Sequence, residues 1–65
     1  MPKIRIFFIE IIDLNGQKQR LKSDDYNKIL NFVHRHRGKV NGINMGNRLV
    51  DKESFVKIKA EDCFK

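Results

Sequence analysis

Sixty-five residues build one domain around one small core. Apolar residues make up 40% of the chain and charged residues 34%, which argues against a disordered tail, and no apolar run reaches membrane-spanning length. Fourteen Lys and Arg against eight Asp and Glu give a net charge of +6, an excess that points to polyanionic partners, chiefly nucleic acid.

Met1-Pro2 is a short lead into the most apolar stretch of the chain, Ile4 to Ile12. Isoleucine and phenylalanine there fit a pleated, packed surface, so Lys3 to Asp13 is expected to form a central strand. Arg5 and Glu10 interrupt the run and no small-residue cleavage site follows, so it does not read as a signal peptide; a cytoplasmic protein is expected. Asn15-Gly16 is a strong hairpin signal. A two-residue turn there sets Leu14 against Gln17, Ile12 against Gln19, Ile11 against Arg20 and Glu10 against Leu21. The second strand, Gln17 to Lys22, is polar and lysine-rich, as edge strands tend to be.

Alternation then sorts the hairpin into two faces. Ile4, Ile6, Phe8, Ile12, Leu14 and Leu21 form the expected core face. Lys3, Arg5, Phe7, Ile9, Ile11, Asp13, Lys18, Arg20 and Lys22 form the outer face. Glu10 falls on the core face and must sit at its margin, pair with a cation or mark a bulge. A slip of one residue would exchange the faces of the second strand.

Ser23-Asp24-Asp25 opens a helix, with Ser23 as its N-cap and two acids near the positive end of the dipole. Tyr26, Ile29, Leu30 and Val33 follow helical spacing and form its apolar stripe. The helix ends at Arg35-His36-Arg37, with Gly38 suited to a left-handed stop. Beyond it, Asn41-Gly42 and Gly46-Asn47 are turn signals. They predict short strands near residues 39–44 and 48–50 joined by a turn at 45–47. Phe55 to Ala60 alternates and reads as a last strand, with Val56, Ile58 and Ala60 inward. Residues 61–65 read as a loosely held tail. The expected fold is a small two-layer α+β domain. An N-terminal β-hairpin and further strands form a three- to five-stranded antiparallel sheet, with one helix on one face.

Two groups of residues carry the functional expectation. On the open sheet face, Arg5, Lys18, Arg20, Lys22, Lys57 and Lys59 would contact phosphates while Phe7 and Phe55 stack on bases. At the helix end, Arg35, Arg37 and Lys39 would extend that surface or grip phosphates alone, the latter suiting a duplex. Ordinary roles compete with both. An exposed sheet face needs charge, lysine stems shield apolar neighbours, and cations in a last helical turn offset its dipole. The alternative function is a non-enzymatic interaction module. It would bind an acidic protein surface or form a homodimer through Phe7, Ile9 and Ile11.

Chemistry is not expected. No nucleophile, base and orienting group assemble, and no cofactor motif is present. His34 and His36 point to different sides of a helix, and Cys63 is a lone thiol, so no metal site is read.

Overall fold

The computed structural model describes residues 2–64; Met1 and Lys65, the ends of the lead and the tail, lie outside them. In chain order the elements are β1 (Lys3–Asp13), β2 (Lys18–Ser23), α1 (Tyr26–Arg35), β3 (Val40–Asp51), α2 (Lys52–Lys57) and a 3-10 turn (Ala60–Phe64). The three strands form one antiparallel sheet in the order β2-β1-β3. The expected α+β class and central first strand are present.

The hairpin is present in a different register. Phe7 pairs with Ser23, Ile9 with Leu21, Glu10 with Arg20 and Ile12 with Lys18. The turn is three residues long, Leu14-Asn15-Gly16. The Asp13 amide donates to the Gln17 carbonyl at 2.9 Å, and the Gly16 amide to the Asp13 carbonyl at 3.0 Å. Gly16 has φ +83°, a left-handed conformation that suits glycine and closes this type of loop. The Asp13 carboxylate accepts from the Asn15 and Gln17 amides, both at 2.9 Å, and so helps select the longer loop.

That one-residue difference puts Leu21 beside Ile9 and carries Lys18, Arg20 and Lys22 to the opposite face. The helix follows the apolar residues. Ile9, Ile11 and Ile29 are fully buried, with Phe7, Leu21, Phe32, Val33 and Val40 packed around them. The helix therefore covers the Phe7, Ile9, Ile11 face, which was expected to be open. Leu14, expected in the core, is 62% exposed, and Tyr26 is exposed with its ring centroid 5.1 Å from that of Phe7.

Asp25, not Ser23, caps α1, its carboxylate accepting from the Asn27 amide at 2.9 Å. Ser23 Oγ accepts from the Asp25 amide at 3.0 Å and fixes the entry to the helix. After Arg35 the backbone turns, and Gly38 at φ +77° takes the expected left-handed conformation.

The other sheet face is covered too. Ile6 is fully buried there, beneath the C-terminal segment. That segment is α2 and the 3-10 turn, not the strand expected over Phe55 to Ala60. Over residues 51–58 the half-buried positions are Asp51, Ser54, Phe55 and Ile58, a helical i, i+3, i+4, i+7 spacing. Val56, expected inward, is 80% exposed. The tail expected to be loose is anchored by Phe64, whose ring meets Phe8 edge-on at 5.4 Å.

Val40–Asp51 is one twelve-residue strand, not two joined by a turn. Gly46 faces Phe8 across the ladder, and a Cβ on Gly46 would lie 2.5 Å from Phe8 Cε2. That glycine makes room for a ring instead of turning the chain. The register shifts at Ile12/Asp13, where Asn41 becomes the extra residue and reaches the Asp13 carbonyl with Nδ2 at 3.5 Å.

Ile9→Ala is expected to cost about 2–5 kcal/mol in urea unfolding. Leu14→Ala and Val56→Ala should each stay within about 0.5 kcal/mol. Equal losses at Ile9 and Leu14 would contradict this placement of the core.

Candidate nucleic-acid interface

The cations separate into two groups, one on each side of the sheet. Lys18, Arg20, Lys22 and Arg48 share the face covered by the C-terminal segment, as the pairings with Ile12, Glu10, Phe8 and Ile6 require. Several of them are engaged within the chain. Arg20 Nε donates to Glu10 Oε2 at 2.8 Å, and its guanidinium lies 5.8 Å from the Phe64 ring centroid. Lys22 donates to the Phe55 carbonyl and stands 4.5 Å above that residue's ring. Arg48 lies 6.0 Å from the Phe8 ring centroid. Cation–aromatic contacts of this kind bind the tail to the sheet.

Glu10 is the anion at the centre of this face. It is buried, and it accepts from Asn44 Nδ2 at 2.9 Å as well as from Arg20. The hydrogen bond from Asn44, then that from Arg20, hold its carboxyl below the ordinary value of 4.5, against the opposing effect of burial.

The aromatics expected to stack on bases are used by the protein itself. Phe7 is half-buried in the helix-side core under Tyr26, and Phe55 lies beneath Lys22. Arg5 is exposed on the helix side of the sheet, where Nη1 donates to Asn47 Oδ1 at 2.6 Å. Lys57 and Lys59 are exposed on the C-terminal segment. The continuous basic sheet face with Phe7 and Phe55 among its cations is thus not assembled. The homodimer surface of Phe7, Ile9 and Ile11 is likewise closed by α1.

The helix-end group is assembled. Residues 26–50 contain Lys28, Arg35, Arg37, Lys39 and Arg48 and no acid. Arg35, Arg37 and Lys39 are exposed, and none makes a salt bridge among the described residues. The return of α1 brings them to the hairpin end of the sheet, because β3 begins at Val40 opposite Asp13. Lys18 stands at the same end on β2, two strands or about 10 Å from the start of β3, with its side chain on the face away from α1. Lys28 lies on the exposed helix face two turns from Arg35. His36 is held by its Nδ1 contact to the Phe32 carbonyl at 2.9 Å and by the Phe32 ring, with centroids 4.8 Å apart. His34 is exposed.

Sequence reasoning gave the helix-end cations but missed that Lys18 joins them, which depends on topology. It also missed Arg48 and Asn44 as parts of the opposite face, because β3 was divided in two. No family model matches the chain, and neither the curated proteins nor the solved structures give a match.

The sign of the Glu10 effect follows from its lowered pKa. Its stabilising contribution is present in full above the ordinary carboxylate range and is lost as pH falls through the folded-state value. The stability difference between the parent protein and Glu10→Gln should therefore be largest at neutral pH and shrink below pH 4.5. Urea unfolding of both proteins across that range is the check, and a difference that grows on acidification would contradict it.

Proposed function

We propose that this chain is a small basic protein that binds the phosphate backbone of nucleic acid through its hairpin end. Arg35, Arg37 and Lys39 are the principal contacts, with Lys28 further along the helix and Lys18 at the same end on the other face of the sheet. The observation that carries the reading is a cluster of exposed cations that makes no salt bridge among the described residues, in a stretch, 26–50, that itself contains no acid; Asp13, the acid at the same end, is engaged by the Asn15 and Gln17 amides. One cation near a helix terminus is accounted for by the dipole; three within five residues exceed that need.

The form of nucleic acid follows from what the site lacks. Binding of single strands draws much of its energy from bases stacked on aromatic rings. Here the rings proposed for that role are occupied, Phe7 by Tyr26 and Phe55 by Lys22. Cations on a convex helix end and turn fit phosphates along a duplex, with little discrimination among base sequences. The cations of the opposite face, Arg20, Lys22, Lys57 and Lys59, then act mainly in structure or in steering the encounter.

Titration of a labelled duplex and a single strand at several salt concentrations tests this. For about four phosphate contacts the logarithm of affinity should fall against the logarithm of salt with a slope of about −3 to −4. Replacing Arg35, Arg37 and Lys39 together by Gln should weaken duplex binding at least about tenfold at low salt and flatten the slope by about 2 to 3. Melting should be unchanged. Negligible binding at about 50 mM salt, or a triple variant that binds like the parent, would overturn the proposal.

A further inference from the structure

The two edges of the sheet differ sharply. β2 is a six-residue edge, Lys18–Ser23, with two lysines and an arginine, which discourage pairing with another chain. β3 is a twelve-residue edge paired only with β1. Between Val40 and Val50 it carries one charge, Arg48, and no proline. Its row on the helix side is Ile43, Met45, Asn47 and Leu49, set by pairing with Ile11, Ile9, Phe7 and Arg5. Ile43, Met45 and Leu49 are 40%, 49% and 54% exposed, because α1 packs over β1 and β2 and stops short of this row. A long edge with an uncovered apolar row is a template for an added strand.

We infer that the β3 edge pairs antiparallel with β3 of a second copy, giving a two-fold dimer with one continuous six-stranded sheet. The strand is complementary to itself over the whole apolar row when the pairing is centred on Gly46. With the two-fold axis at Gly46, Ile43 faces Leu49 of the other copy, Met45 faces Asn47, and Asn44 faces Arg48. No like charges meet, and the apolar rows join on the same side of the sheet. Centring the axis on Met45 sets Ile43 and Leu49 against asparagines. Shifting the pairing by one residue sends the two apolar rows to opposite sides.

Charge supports the same occupant. β3 is preceded by Arg37-Gly38-Lys39 and leaves through Asp51-Lys52-Glu53. Antiparallel pairing about Gly46 brings the basic approach of each copy to the acidic exit of the other, with Asp51, the last residue of the strand, opposite Asn41 and diagonal to Lys39. The contact is isologous, so both ends repeat it. Opposing it is the +6 on each copy, a long-range repulsion that salt screens.

The test uses the full chain without nucleic acid. Sedimentation equilibrium from about 10 μM to about 1 mM at about 0.15 M and about 1 M salt should show a monomer–dimer equilibrium that shifts toward dimer with salt. Ile43→Lys with Leu49→Lys should remove the dimer while circular dichroism and melting of the monomer are retained, since both side chains are exposed. At the lower salt, Lys39→Glu should weaken association about tenfold, and adding Asp51→Lys should restore it. Lys39→Glu also lowers the net charge, so a purely global charge effect would strengthen association instead. A monomer at every concentration overturns the inference. So does a dimer indifferent to the lysine substitutions. Amide protection of β3 that arises only when an unrelated extended peptide is added would assign the edge to a different chain, and equally overturns it.

Discussion

The constraint on which the rest of the structure depends is the length of the turn between Asp13 and Gln17. Three residues in the loop, with Gly16 at positive φ, set Ile9 opposite Leu21 and Glu10 opposite Arg20. Two residues would set Glu10 opposite Leu21, burying a carboxylate against a leucine and leaving Arg20 beside Ile11. The longer loop gives the buried carboxylate its guanidinium and gives the helix a face of isoleucine, leucine and phenylalanine. The Asp13 side chain, by accepting from the Asn15 and Gln17 amides, favours this loop locally before any tertiary contact is made. Local turn chemistry and global packing thus agree.

The register also explains why so short a chain covers both sides of its sheet. The helix side is an aliphatic and aromatic core around Ile9, Ile11 and Ile29. The other side combines one fully buried aliphatic residue, Ile6, with a polar centre of Glu10, Arg20 and Asn44, under rings that hold cations. Such a face needs a cover, and the C-terminal segment supplies it with Phe55 and Phe64. A fourth strand would have lengthened the sheet and left this polar centre open to water.

What the sequence made legible is what local periodicity can encode. The long first strand, the hairpin, the inward positions Ile29 and Val33 and the stop at Gly38 all rest on spacing or on a single residue's conformational preference. The losses share one cause. At Asn15-Gly16, Gly46-Asn47 and Phe55–Ala60 the local signal was compatible with two structures, and a distant residue selected between them. Gly46 looked like a turn until the Phe8 ring was placed over it. Phe55 to Ala60 alternates like a strand, yet Asp51, Ser54, Phe55 and Ile58 also fit a helix, and the exposed side of Val56 shows which pattern packing chose. The candidate site follows the same division. Arg35, Arg37 and Lys39 are adjacent in the chain and could be read together, whereas Lys18 joins them only through the strand order.

Charge and edge are linked through the same strand. The basic cluster lies where the chain enters β3, so the +6 that would draw a polyanion also keeps two β3 edges apart. On the two proposed readings, phosphate bound at the hairpin end removes part of that repulsion. This relief by itself makes binding of a polyanion and pairing of copies favour each other, and by linkage any net coupling acts on both by the same factor. The antiparallel arrangement places the two basic ends far apart along the joined strands, so one duplex could engage both only by running along the sheet. The opposing term is local, because Lys39 is shared between phosphate and Asp51 of the second copy. Whether association is promoted or inhibited by nucleic acid is therefore decided by the relief of net charge against competition for this one side chain. Long-range repulsion weakens within a Debye length whereas the Lys39 contact is short, so added salt moves the balance toward competition.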